Sequence, residues 1–291
     1  MLLLIAVFTT SCARPLNIFQ KAPVSTPALV AVTAENSPTA TLRPPTATSL
    51  PPSQVPEINI LKTQVSPIDG MVMVYVPEGP FLMGSPDGIG QANEHPMHSV
   101  HLDAYWIDQT EVTSTMFRTF IESNNYQTDA EKAGESYVFI STRWSLVKGA
   151  DWRHPTGQSS DITGLEDHPV GHISWNDANA YCAWAERELP TEAQWEKAAR
   201  GQDGFIYPWG NEFHCSYGNF DDETVLDDFL VEGGAGCDGY EKTSPVGVFE
   251  AGASPYGALD MAGNVWEWAA DWYGDYPTGA VTNPTGPAIG D

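Results

Sequence analysis

The stretch RELPTEAQWEKAARG, residues 187–201, turns at Pro190 and then starts a helix. Thr191 stands at the cap position, and Gln194 three residues on completes a capping box, in which each of two side chains satisfies a backbone N–H at the helix start. Trp195, Ala198 and Ala199 fall on one face, and Gly201 stops the helix. The stretch before it, SWNDANAYCAWAERE (174–188), repeats the device. Ser174 and Asp177 form the box, and Ala178, Tyr181, Cys182 and Ala185 make the apolar face. Two short capped helices about a proline turn are all that these residues establish alone.

Upstream, MVMVYVPEGPFLMGS (71–85) reads as two short strands about a Pro-Glu-Gly turn, and HSVHLDAYWIDQTEVT (98–113) alternates as a further strand. Thr113 then caps a helix carrying Phe117, Phe120 and Ile121 on one face. His95, His98 and His101 recur every three residues, which on a helix would make a ligand ladder. Here Pro96 and the alternation impose loop then strand, so His98 and His101 take opposite faces and read as structural or surface residues.

From Gln202 onward Gly, Asp, Asn and aromatic residues dominate with little periodicity. Such a segment inside a folded domain needs a metal or a disulfide to fix it. Cys215 and Cys237 flank part of it and are the expected disulfide. No CxxC or His partner at useful spacing supports a thiolate metal site there. Cys182, inside its helix, reads as a small buried hydrophobe.

The chain opens MLLLIAVFTTSC. Residues 2–8 are too short an apolar run to span a bilayer. With the small residues before Cys12 they resemble the lipobox of bacterial lipoproteins, although no basic residue precedes the run. Residues 1–12 are therefore expected to be a signal segment acylated at Cys12, and the protein to be exported and membrane-anchored. Residues 13–65, rich in Pro, Thr, Ser and Ala, read as a disordered tether, and 66–291 as the folded domain. The net charge of −25 lies almost wholly in that domain, since residues 1–65 carry only Glu35 and Glu57 as acids. A field of that sign argues against nucleic acid and against an anionic membrane surface, leaving a lipid anchor as the only membrane link. It suits divalent cations and basic peptides.

LPTEAQWEKAARG (189–201), YPWGN (207–211) and GALDMAGNVWEWAADWY (257–273), in that order, resemble the formylglycine-generating enzymes, or sulfatase-modifying factors. YQTDAEKAGESYVF (126–139), KGADWRHPTG (148–157) and DHPVGHISWNDANAYCAWA (167–185) extend the match to roughly 71–291. Glu186 and Glu188 depart from it, standing where the family has Gly and a basic residue. The resemblance implies an α+β fold of low regular content, related to C-type lectins, with a mixed, mostly antiparallel sheet, two main helices and long metal-stabilised loops. It also implies two structural calcium sites. One would use the Asn219 and Asp238 side chains with the Phe220 and Tyr240 carbonyls. The other would use the Asp260 and Glu267 side chains with the Gly263 and Val265 carbonyls. DMAGNVWE suits this, because calcium takes six to eight hard oxygens of mixed carboxylate and carbonyl origin.

In that family a cysteine of an unfolded sulfatase segment, Cys-x-Pro-x-Arg, is oxidised to formylglycine by O2 and a copper(I) ion on two thiolates, soft ligands that select that metal. Trp266 would line the substrate groove. The two thiolates follow an Arg-Val-x-x-Gly-Gly-Ser run, and this sequence stops at NPTGPAIGD (283–291), where the run would begin. Cys215 and Cys237 do not align with them. The resemblance thus implies a C-terminally incomplete domain, with copper only where such a pair exists, and no catalytic residue in the stretch at hand. A non-catalytic, calcium-stabilised binding module is the alternative.

Overall fold

The computed structural model describes residues 8–9, 12–15, 61–140, 143–220 and 236–290. Its strands are Phe8–Thr9 (β1), Ala13–Pro15 (β2), Thr63–Val65 (β3), Val72–Val76 (β4), Gly79–Met83 (β5), His98–Leu102 (β6), Tyr105–Asp108 (β7), Glu135–Ile140 (β8), Arg143–Lys148 (β9), Trp266–Glu267 (β10) and Val281–Thr282 (β11). Its α-helices are Ser114–Asn124 (α1), Asp129–Ala133 (α2), Trp175–Trp184 (α3) and Glu192–Arg200 (α4). The fold is mixed α+β with little regular structure, as expected.

An antiparallel sheet runs β2-β7-β4-β3. The period of two along β4 sends Met73 to one side and Val74 and Val76 to the other, and all three are buried. The sheet therefore lies between two cores. One gathers Met73, Phe117, Phe120 and Ile121 of α1 and Tyr181 of α3. The other gathers Val74, Val76, Ile107, the β5 and β6 residues Phe81 and Val100, and Ala198 and Ala199 of α4. On β6, His98 is buried and His101 exposed, the split that alternation predicts.

All four α-helices among the described residues start on a hydroxyl cap: Thr113, Thr128, Ser174 and Thr191 accept from the N–H groups of Met116, Glu131, Asp177 and Gln194. Both boxes read from the sequence, at Ser174 and Thr191, are present. The short α2 is an addition. So is Lys197, fully buried on the apolar face of α4. Its ammonium donates to the carbonyls of Pro77 at 2.7 Å and Gly79 at 2.9 Å, pinning the β4–β5 turn to the helix.

The N-terminal expectations need correction. Cys12 is fully buried, and its sulfur is bonded to Cys182 of α3. Ala13–Pro15 pairs with β7, and Ala13 bridges Glu188, which carries Cys12 to the helix. A sulfur in that bond cannot carry an acyl chain, and Cys182 is not a lone thiol. Thr63–Val65 also belongs to the sheet, so the expected tether loses both ends to the fold. Contacts group Met1–Leu16 with Leu61–Asp291 and set Asn17–Ile60 apart as a second unit. The tether's middle, residues 16–60, lies outside the described residues.

Beneath Cys12 lies a sealed ion cluster. Arg187 contacts Asp69 at 2.5 Å and Asp108 at 3.1 Å, with all three side chains at 1% exposure or less. The Arg187–Asp108 contact through Nε is ionic in distance but is not aligned as a hydrogen bond. The Tyr181 hydroxyl donates to Asp69 at 2.7 Å, and the Cys12 N–H to Asp108 at 2.9 Å.

Candidate functional site

Glu111 stands between β7 and the α1 cap and is 1% exposed. Its Oε1 accepts from Asn264 Nδ2 at 3.0 Å, while Oε2 has no hydrogen-bond partner among the described residues. Asp260 is buried too. It accepts the Gly247 N–H through Oδ2, and Oδ1 is likewise unpartnered among those residues. Burial drives the Glu111 carboxyl well above its ordinary range, and the charges of Asp260 and Glu267 push the same way. Burial raises Asp260 as well. Buried oxygens with spare lone pairs ask for a partner, and hard donors of this kind suit calcium. No three His, Cys, Asp or Glu side chains among the described residues close into a metal cage by themselves. An ion here would draw on backbone carbonyls as well, and Gly263 and Val265 belong to the same turn.

That turn is tightly wound. Asp260 and Asn264 have φ of 55° and 56°. At Gly263, with φ of +98°, an added Cβ would stand 2.3 Å from the Asn219 carbonyl oxygen, so only glycine fits. Asn219 in turn begins the other expected cluster. Asp238 accepts the Phe220 N–H at 2.7 Å and the Tyr240 N–H at 2.8 Å. The four residues are together, but the groups that face the carboxylate are N–H donors, the ordinary work of an aspartate in a turn. Cys215 and Cys237 are disulfide-bonded beside them. Asn264 joins the two clusters: its Oδ1 accepts from Asn219 Nδ2 at 3.1 Å and from the Ser244 N–H at 2.9 Å.

A cleft of about 580 Å³ opens between α2, the β8–β9 hairpin and the start of α3. Asp129, Glu135, Tyr137, Trp144, His172 and Trp268 are among its lining, and none of the described residues lining it is Lys or Arg. Asp177 fixes its wall, taking the Asp129 N–H at 3.1 Å and the Tyr126 hydroxyl at 3.0 Å. Hydrogen bonds from Asn176 and Ser174 hold the Asp129 carboxyl below its ordinary value, so it is charged at neutral pH. His172 Nε2 faces the Pro155 carbonyl at 2.9 Å, and a carbonyl can only accept. Nε2 therefore carries the proton, and Nδ1 accepts from the Ser136 hydroxyl at 2.9 Å. Burial lowers the His172 pKa and keeps the ring neutral.

The sulfatase-modifying factor enzyme 1-like domain matches residues 59–287. The chain belongs to the sulfatase-modifying factor family. It is 40% identical over 238 residues to a formylglycine-generating enzyme of Bos taurus, covering 75% of this chain and 63% of that one. It is also 40% identical over 218 residues to a Mus musculus relative named inactive C-alpha-formylglycine-generating enzyme 2, covering 69% of each. Among solved structures, PvdO of Pseudomonas aeruginosa superposes with a TM-score of 0.55 at 24% identity, over 74% of this chain and 76% of that one, which supports the fold.

Placed on this sulfatase-modifying factor domain, the sequence-predicted residues divide clearly. Asp260, Gly263, Val265 and Glu267 share one turn, and Asn219, Phe220, Asp238 and Tyr240 another cluster next to it. Trp266 is 44% exposed on β10, whereas Trp268, two residues on, lines the cleft. Glu111 escaped the sequence reading. Its one local signal is an acid wedged between β7 and Val112, and its partners lie some 150 positions away in the chain.

Proposed function

We propose that this domain receives an extended, unfolded sulfatase-type segment of the form Cys-x-Pro-x-Arg and serves the conversion of its cysteine to formylglycine, with calcium at Glu111, Asp260 and Glu267 holding the site's frame. The observation that carries the reading is the acidic, aromatic cleft. Glu135 offers a carboxylate to a guanidinium, and Tyr137 and Trp144 offer flat faces for it to stack on, while Asp129 already holds Lys132 at 3.1 Å. The net charge of −25 draws such a peptide in. An exported setting belongs to the same proposal, since paired cysteines suit an oxidising compartment.

The oxidant is another matter. Copper(I) takes thiolates, and all four cysteines of this chain are disulfide-bonded. These residues do not fit the copper ion, and no oxidative step is assigned to them. A second reading, supported by the likeness to the relative named inactive C-alpha-formylglycine-generating enzyme 2, is a domain that binds the peptide without transforming it.

Calorimetric titration with a Cys-x-Pro-x-Arg peptide tests the cleft. Glu135→Gln is expected to weaken binding about tenfold, the lower end of what a charge-assisted bond supplies. Equal affinity for a peptide with glutamate in place of arginine would refute it. Mass spectrometry of the bound peptide separates the readings: an aldehyde in place of the thiol supports conversion, and an intact thiol supports binding alone.

A further inference from the structure

The Cys215–Cys237 disulfide closes the neck of a loop that carries the Asn219 and Asp238 cluster. Asn219 and Phe220 lie just after Cys215, and Asp238 follows Cys237 directly. Across the neck Asp238 Oδ2 accepts the Phe220 N–H at 2.7 Å, so a covalent bond and a carboxylate clamp the same two ends.

The neck lies directly on the turn that carries Asp260 and Glu267. The Asn264 N–H donates to the Asn219 carbonyl at 2.8 Å, and the Asn219 amide donates back to Asn264 Oδ1 at 3.1 Å. Both asparagines are buried. The two backbones touch: a Cβ at Gly218 would stand 2.5 Å from the Ala262 carbonyl oxygen, the counterpart of the tight approach at Gly263. Asn264 Nδ2 then holds Glu111 Oε1 at 3.0 Å, beside the Oε2 that has no partner among the described residues. A short run of contacts thus leads from the disulfide to the carboxylate proposed to bind calcium. Such an ion needs several oxygens held together at ~2.3–2.6 Å. A closed neck keeps the turn in place before the ion arrives. An open neck must be ordered as the ion binds, and the entropy lost then weakens binding.

We infer that the Cys215–Cys237 bond sets the calcium affinity of the Glu111 and Asp260 site, tight while the bond is intact and loosened when it is reduced. The inference rests on the calcium reading. Both cysteines of this pair are half-buried, within reach of a small thiol, whereas Cys12 and Cys182 are fully buried. Two molecules of such a thiol give up two electrons and two protons, become one disulfide, and leave Cys215 and Cys237 as thiols. Linkage makes the coupling mutual. The factor by which the bond tightens calcium is the factor by which calcium shifts the thiol–disulfide equilibrium toward the bond.

Calorimetric calcium titration of the full chain compares the parent with a Cys215→Ser, Cys237→Ser double variant, which keeps Cys12 and Cys182 paired. The parent is expected to bind about tenfold tighter, within the span usual for coupled sites. Glutathione mixtures supply a second arm on the parent alone, which decides the matter if the variant does not fold, as judged by its thermal melt. There saturating calcium should move Cys215–Cys237 about tenfold toward the disulfide and leave Cys12–Cys182 unmoved, read by mass spectrometry of the alkylated thiols. Equal calcium affinity in parent and variant, or equal protection of both disulfides, overturns the coupling and leaves the calcium reading standing. A parent that binds no calcium overturns both.

Discussion

An Arg187→Met variant is expected to lose about 3–5 kcal/mol of stability, the usual cost of removing one partner from a buried ion cluster, and to melt roughly 6–20 °C lower. The guanidinium is the cation that Asp69 and Asp108 share within a sealed volume. Burial pushes Asp69 up, but Arg187 pulls harder and leaves its carboxyl below the ordinary value. At Asp108 burial wins: its pKa is raised to about 7 against the pull of Arg187. Methionine removes the pull on both, so both folded pKa values rise. A raised carboxyl pKa costs stability as pH climbs, because the folded state must then release protons it holds more tightly than the unfolded chain. The deficit of the variant should accordingly be smallest near pH 4 and widen through about pH 7 and above. Urea melts across that range provide the check, and a deficit independent of pH would mean that Arg187 acts by packing alone.

Calcium is expected to raise the melting temperature of the parent protein by roughly 5–10 °C over chelator at neutral pH. That corresponds to ~2.7 kcal/mol when the ion stands at a hundred times its Kd. Glu111 and Asp260 each hold a buried oxygen with spare lone pairs, and Glu267 adds charge beside them. Without a cation the Glu111 carboxyl keeps its proton against Asp260, and an arriving cation displaces that proton and gains a charged ligand. Glu111→Gln should remove most of the calcium response. In chelator the same variant should melt close to the parent, because an amide, like the protonated acid, can donate to Asp260. A calorimetric scan with and without calcium decides it. An unchanged midpoint in the parent, or a full response in the variant, would sink the assignment.

Features whose partners are close in the chain are legible in the sequence itself. The boxes at Ser174 and Thr191, the cap at Thr113 and the alternation through β4 to β7 each lie within one local window. The DMAGNVWE turn is legible for the same reason. What escapes depends on distant chain. Glu111 meets Asn264 from 153 positions away, and Lys197 finds its carbonyls 118 and 120 positions back. A buried lysine on an apolar helix face reads, from sequence, as a solvated one. The correction at Cys12 has the same root. A small-residue run before a cysteine carries a strong local pattern, and its pairing with Cys182 spans 170 positions. The cleft is invisible in the sequence because it belongs to no single segment.

The Asn264 side chain ties Asn219, Ser244 and Glu111 together through its two ends. Among the described residues no sheet ladder links these segments. A single amide therefore joins three chain segments that are distant in sequence. The described loops that carry Asn219, Ser244 and Glu111 are thereby fastened to the 260–267 turn at a common point.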